Sequence, residues 1–314
     1  MRYLEIPGID RPISRLVLGS TWFGRVPYDD VGRVLDRWIE LGGSAIDTAE
    51  NYGRGASELA IGRWLRERAL GVDAPLVITK GGHPYDDRTR LGADDLSADL
   101  DGSLERLGLE RTELWMLHRD DPSQTVREIL ETVSRFVGDG RVRALGASNW
   151  TTDRLAEAAA VAADDGLPGF VASSPNLSLA RQLRSPWPDC VSASDRTSRS
   201  WYADTQMPVF AWSASAGGYF AGGGRQPDST RDDAMAGVYD SEDNHERYRR
   251  AEELGKRFGA TADQVALAWV LAQRFPAFAV IGTRNLEHLA AAVAATEIEL
   301  SPDEVEWLVD GVSG

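Results

Sequence analysis

The chain has 314 residues, 42% hydrophobic and 26% charged, a formal net charge of −15 at pH 7 and one cysteine, Cys190. The length suits a single barrel-sized domain of roughly 250 residues plus insertions, able to bury a large core unaided. The acidic balance argues against nucleic-acid and anionic-membrane partners; the lone cysteine excludes an intrachain disulfide and fits a reducing, cytoplasmic setting.

The first ten residues carry no signal-peptide pattern, and no run approaches the roughly 18 apolar residues of a membrane span. Residues 3–13 read as a small hairpin with its turn at 7–10, suited to plug the bottom of a barrel. Strands are expected near 16–19, 44–47, 76–80, 114–118, 142–148, 170–173, 208–213 and 279–282, with helical patterns between them. Val31, Val34, Leu35 and Trp38 share one helical face, as do Leu96, Leu100, Ser103, Leu104 and Leu107. Thr261 with Gln264, and Ser301 with Glu304, have capping-box spacing, the second with Pro302 at the first helical position. Eight strand–helix units without a composition break predict one closed (β/α)8 TIM barrel over residues 1–314, an α/β fold with an N-terminal β-hairpin and long loops at its C-terminal face. Residues 183–198 read as a loop. So do residues 217–243, which follow a strand end and form either a lid over a ligand or a disordered surface segment. No glycine-rich fingerprint follows an early strand and there is no Walker A motif. None of the four histidines has metal-ligand spacing, so no metal is expected.

Four residues stand at or just past predicted strand ends: Asp47 and Tyr52 after the second strand, Lys80 at the end of the third, His118 at the end of the fourth. Strand C-termini converge on one face of a barrel, so these side chains are expected to meet. Their chemistry is mutually consistent. An ammonium beside a phenol stabilises the phenolate and lowers its pKa. Asp47 would fix Lys80, while His118 would hydrogen-bond a carbonyl oxygen that becomes alkoxide-like in the transition state.

The order and spacing of Gly43-x-x-x-Asp47-Thr48-Ala49-x-x-Tyr52-Gly53, Thr79-Lys80, Leu117-His118 and Gly146-Ala147-Ser148-Asn149 resemble the signatures of the aldo-keto reductase superfamily, along nearly the whole chain. The resemblance implies an NADP(H)-dependent oxidoreductase that interconverts a carbonyl and an alcohol. Its tetrad falls on Asp47, Tyr52, Lys80 and His118, with Tyr52 as general acid/base. On the cofactor side it implies Ser20, Thr21 and Trp22 after the first strand, and Ser148 and Asn149 at the nicotinamide carboxamide. Ser174 stands where the family has glutamine. Trp212 stands where an aromatic stacks on the nicotinamide; a core tryptophan is the alternative. Ser213, Ala214, Ser215 and Gly217 would line the pyrophosphate. Ile281, Gly282, Thr283, Arg284 and His288 fall in the adenosine 2′-phosphate region. Arg284 as a phosphate clamp favours NADP(H), with NAD(H) as the alternative and a solvated surface arginine as the plain reading.

For the substrate, Trp22, His83, Tyr85, Arg119 and Asn176 are expected around a pocket, and Asp120 near it. Polar groups beside a tryptophan suit a sugar, glycoside or polyol. A small-molecule carbonyl or alcohol is then the partner, and the chain acts as a monomer or homo-oligomer. Three other readings stay open: an NADP(H)-binding regulatory subunit with little turnover, a non-redox barrel isomerase or lyase that uses Lys80 as a Schiff-base lysine, and a cofactor-retaining, internally balanced oxidation and reduction such as an epimerisation.

Overall fold

The structure is a computed structural model that describes residues 1–85, 88–225, 235 and 237–311. Strands β1 (Tyr3–Leu4) and β2 (Ile13–Ser14) pair antiparallel as the expected hairpin. Eight parallel strands then close a barrel: β3 (Leu16–Gly19), β4 (Ala45–Asp47), β5 (Leu76–Gly81), β6 (Thr112–Leu117), β7 (Val142–Ser148), β8 (Phe170–Ser174), β9 (Val209–Ala211) and β10 (Ala277–Ile281), the last pairing with the first. Around it run α1 (Tyr28–Glu40), α2 (Ala56–Arg68), α3 (Ala93–Leu107), α4 (Val126–Gly138), α5 (Thr152–Asp165), α6 (Arg196–Thr205), α7 (Glu242–Phe258), α8 (Ala262–Leu271), α9 (Leu286–Ala295) and α10 (Pro302–Asp310).

The two-residue period of the strands divides each into inward and outward side chains. Val17, Ala45, Leu76, Ile78, Leu114, Met116, Ala144, Ala172, Phe210 and Phe278 fill the interior, where Phe210 and Phe278 stack with ring centroids 4.7 Å apart. Ile6, Ile9 and Ile13 of the hairpin close the lower end of that cluster. Leu16, Leu18, Ile46, Val77, Trp115, Leu117 and Leu145 point outward into a second cluster shared with the helices. The same alternation, carried one residue further, aims Asp47, Lys80, His118, Ser148, Ser174 and Trp212 at the upper mouth. The apolar fill of the barrel thus supports a ring of polar groups.

The helices follow the sequence pattern. Val31, Val34, Leu35 and Trp38 of α1, and Leu96, Leu100, Ser103, Leu104 and Leu107 of α3, are all buried. Both expected capping boxes form, and Thr125 with Glu128 adds a third at α4. Two boundaries differ from expectation. The 183–198 loop ends earlier, because the Asp195 carboxylate accepts from Ser198 N and starts α6 at Arg196. Strand β9 stops at Ala211, because Ser213 adopts a φ of +51° and turns the chain out of the ladder. Part of the 217–243 segment lies outside the described residues; its described end enters α7, capped by Ser241.

Helices α2 and α3 approach closely at Gly62, where a Cβ would lie 2.2 Å from the Arg106 carbonyl oxygen and 2.8 Å from Leu107 Cα. Gly62→Ala gains about 1 kcal/mol of helix propensity. It also forces two backbones apart, an overpacking cost of roughly 1–3 kcal/mol that rises when backbone has to move. We expect a lower urea midpoint for Gly62→Ala than for wild type. An unchanged or higher midpoint would show that the helices are not locked together at this point.

Candidate active site

Strand β4 ends in Asp47 and β5 carries Lys80 one residue from its end, on neighbouring strands of the barrel. Lys80 Nζ donates to Asp47 Oδ2 at 2.6 Å and to the Thr48 carbonyl at 2.9 Å. Its third donor direction reaches the Tyr52 Oη at 3.5 Å. Tyr52 arrives from the turn between β4 and α2, where Arg54, Gly53 and Gly55 all take positive φ and bring the chain back over the barrel mouth. The Tyr52 and His118 rings meet edge-on with centroids 5.7 Å apart, and His83 meets His118 at 4.9 Å. The four side chains read from strand ends therefore share one site.

Withdrawal from water dominates the electrostatics. Burial alone would lower the Lys80 ammonium, but Asp47, helped by Tyr52, outweighs it and holds the ammonium above its ordinary value. Burial pushes the Asp47 carboxyl up while Lys80 draws it down. The Tyr52 phenol is raised, because loss of solvent outweighs the downward pull of Lys80. This corrects the expectation of a lowered phenol: the ammonium is present, yet it only moderates the effect of burial. His118 is held well below the usual histidine range, first by burial and then by Arg119, Lys80 and His83, so its ring is neutral near pH 7. His83 is lowered by burial and by Arg119.

A cleft of about 1330 Å³ runs from these residues across the barrel mouth to the start of α9, larger than the roughly 300–1,000 Å³ of ordinary small-molecule sites. Thr21, Trp22, Ser148, Asn149, Ser174, Trp212, Ser213, Ala214, Ser215, Gly217, Ile281, Gly282, Thr283, Arg284 and His288 all line it. Trp212 is half-buried there and not a core tryptophan; its Nε1 donates to Asn149 Oδ1 at 3.1 Å. Asn149, at φ +60°, also donates to the His118 carbonyl, at 3.2 Å. It thereby ties the ends of three strands. A long, dinucleotide-sized groove fits NADP(H). Trp22 lines it, with a buried Nε1 that has no partner, and Gly282 leaves the floor open, since the nearest atom to a Cβ there would be the Gly19 carbonyl oxygen at 3.7 Å. Arg284 and His288 are exposed at its far end, beside the N-terminus of α9, where an anion is favoured.

Some expected residues are placed elsewhere. Ser20 is fully buried beneath the cleft and accepts from Ser57 Oγ at 2.9 Å. Asn176 is fully buried and does not line the cleft; it donates to the Trp212 carbonyl at 3.1 Å and accepts from Ser192 Oγ at 3.0 Å. The Tyr85 hydroxyl donates to Glu50 at 2.9 Å, away from the cleft. Asp120 is gripped by Arg154 through two hydrogen bonds of 2.9 Å. Of the substrate set, Trp22, His83 and Arg119 line the cleft. It is also lined by Trp187, Cys190, Lys256, Asp263 and Gln264, which the sequence reading left as loop or helix. Helix N-termini face the same barrel end as strand C-termini, so the start of α8 could have been placed at the site from topology alone.

The profile of the Aldo/keto reductase family matches residues 15–310. An uncharacterized oxidoreductase, YrpG of Bacillus subtilis, is 29% identical over 99% of this chain and 95% of its own. A candidate voltage-gated potassium channel subunit beta of Schizosaccharomyces pombe is 25% identical over 96% and 90%. The crystal structure of a thermostable aldo-keto reductase, Tm1743, superposes with a TM-score of 0.75 at 24% identity, covering 98% of both chains, and shares the fold.

The depressed histidines set a sign for stability against pH. The unfolded chain takes up a proton near pH 6.5, whereas folded His118 does so only at lower pH. Between the two values the unfolded state binds more protons. This contribution is therefore complete above pH 6.5 and is lost as pH falls below it. Between pH 7.5 and 5.5, wild type should lose about 1 kcal/mol more unfolding free energy than His118→Gln. Parallel losses in urea titrations of the two proteins would mean that His118 is not held neutral.

Proposed function

Because the chain belongs to the Aldo/keto reductase family, we propose that it is an NADP(H)-dependent oxidoreductase that interconverts a polar carbonyl compound and its alcohol by hydride transfer, with Tyr52 as the general acid/base. The observation that carries this reading is the Lys80 ammonium, held at 2.6 Å by Asp47 and 3.5 Å from the Tyr52 hydroxyl, at the inner end of a dinucleotide-sized cleft. NADP(H), when bound, supplies the hydride for the carbonyl carbon.

The protein's own groups manage the oxygen. Neutral His118 has a ring N–H to offer a carbonyl oxygen, which orients it and stabilises the charge that develops there. The Tyr52 phenol, protonated at neutral pH, passes its proton to the nascent alkoxide, a far stronger base than a phenolate. Lys80 stabilises the phenolate left behind, and Asp47 keeps Lys80 charged and in place. In the alcohol-oxidising direction the same groups act in reverse, with Tyr52 taking the alcohol proton beside Lys80; the raised phenol shifts that direction toward alkaline pH. Ser148, Asn149 and Trp212, which line the cleft, would hold the nicotinamide end, and Thr283, Arg284 and His288 the phosphate end; the Arg284 guanidinium supports NADP(H) over NAD(H).

Trp22, Trp187, His83 and Arg119 give the substrate end aromatic faces beside polar groups. On that basis the substrate is a sugar, glycoside or polyol. A higher kcat/KM for apolar aldehydes than for keto-sugars would remove this part of the reading. No helix among the described residues is long and apolar enough to cross a membrane; the cytoplasmic setting suggested by the single Cys190 goes with the proposal.

A Schiff-base role for Lys80 requires a neutral amine, and Asp47 opposes that. The likeness to a candidate channel subunit favours a second reading, cofactor binding with little turnover. One pair of variants separates the readings. Tyr52→Phe should lose about 100-fold or more in kcat, with NADPH affinity, read from tryptophan quenching, unchanged. Arg284→Ala should weaken NADPH more than NADH and spare kcat. Turnover in Tyr52→Phe equal to wild type contradicts the mechanism; equal weakening of both nucleotides contradicts the assignment of Arg284.

A further inference from the structure

Arg119 follows His118 directly and is buried, 7% exposed, yet it lines the cleft. Among the described residues its side chain makes one hydrogen bond, from Nη1 to the His118 carbonyl at 2.9 Å, and its Nε has no partner. Among the described residues no carboxylate pairs with it. The two acids that follow it in sequence are engaged elsewhere. Asp120 is held by Arg154, and Asp121 accepts from Ser123 Oγ at 2.6 Å and from Gln124 at 3.1 Å. The other buried cation of this end, Lys80, is neutralised by Asp47. Among the described residues Arg119 is thus a buried cation without a counter-charge at the substrate end of the cleft, in a chain of net charge −15.

Burying a guanidinium without a counter-charge is costly, and the cost is tolerated where a ligand supplies the partner. A guanidinium presents a planar fork of donors that matches the two oxygens of a carboxylate or phosphate. We propose that Arg119 recognises an anionic oxygen group, carboxylate or phosphate, on the non-reacting part of the substrate. This rests on the oxidoreductase reading above and narrows it: the favoured carbonyl compound is an acid or a phosphate ester. Tyr52 and His118 attend to the reacting oxygen, so the anion is a separate group, and Arg119 sets specificity.

The test compares two matched pairs, 4-oxobutanoate with butanal and glyceraldehyde 3-phosphate with glyceraldehyde. Binding to protein saturated with NADP+, which cannot reduce them, is read by tryptophan fluorescence, since Trp22, Trp187 and Trp212 line the cleft. A charge-assisted hydrogen bond predicts that the anionic member of at least one pair binds roughly 10- to 100-fold more tightly; which pair shows it tells carboxylate from phosphate. Arg119→Met should erase that preference, and Arg119→Lys should keep part of it. No preference in either pair of the wild-type protein, or a preference that survives in Arg119→Met, overturns the proposal. Reduction of butanal by NADPH, followed separately, reports on the redox reading: turnover without preference removes only the role of Arg119, and preference without turnover removes only the redox reading.

Discussion

Everything at the mouth of this barrel is arranged around one buried ion pair, Lys80 with Asp47. Two adjacent strands present an ammonium and a carboxylate almost fully removed from water, at 2.6 Å. Such a pair is a weak source of stability, because desolvation offsets most of the attraction, while breaking it leaves an uncompensated charge in a dry site. Its value lies in position. It fixes a cation within reach of the Tyr52 hydroxyl and, through Coulombic repulsion added to burial, helps keep His118 neutral. A phenol that carries a proton and an imidazole that does not carry an extra one are complementary partners for a carbonyl oxygen. Lys80 and Asp47 are buried beneath Tyr52, where their charges are weakly screened.

The barrel converts strand periodicity into this geometry. Leu76 and Ile78 fill the interior and Lys80 follows on the same face; Leu114, Met116 and His118 repeat the pattern one strand on. That is why Asp47, Lys80 and His118 were legible in the sequence: a polar residue at the inward position that ends an apolar run has only the mouth of the barrel to occupy. The hairpin, the eight strands, both capping boxes and the buried faces of α1 and α3 were legible for the same reason, since each is written in local spacing and turn chemistry.

What the sequence hid depended on contacts between distant segments. Asn176 had the right residue type for a polar pocket. Only the fold reveals that its amide bridges Trp212 and Ser192 beneath the surface. Tyr85 and Asp120 were diverted by Glu50 and Arg154, partners roughly 35 residues away along the chain. The same diversion exposes the function of Arg119, because the acids beside it in sequence are turned away in space. The sign of the Tyr52 shift was also hidden, since the presence of Lys80 can be read from spacing but the depth of burial cannot. Gln264 was visible as a cap, and its second place, at the edge of the cleft, came from the topology that brings α8 to the catalytic face.

In the proposed reaction a proton and a hydride meet at a carbonyl group beside the Asp47–Lys80–Tyr52 chain. It is tested most directly by incubating the protein with a simple aldehyde and NADPH carrying deuterium on the transferable C4 position, then locating the label by mass spectrometry. The account predicts one deuterium on the carbinol carbon of the product, accumulating with wild-type protein and almost abolished in Lys80→Met that still binds NADPH. Product without label, or label transferred by Lys80→Met at the wild-type rate, would contradict it.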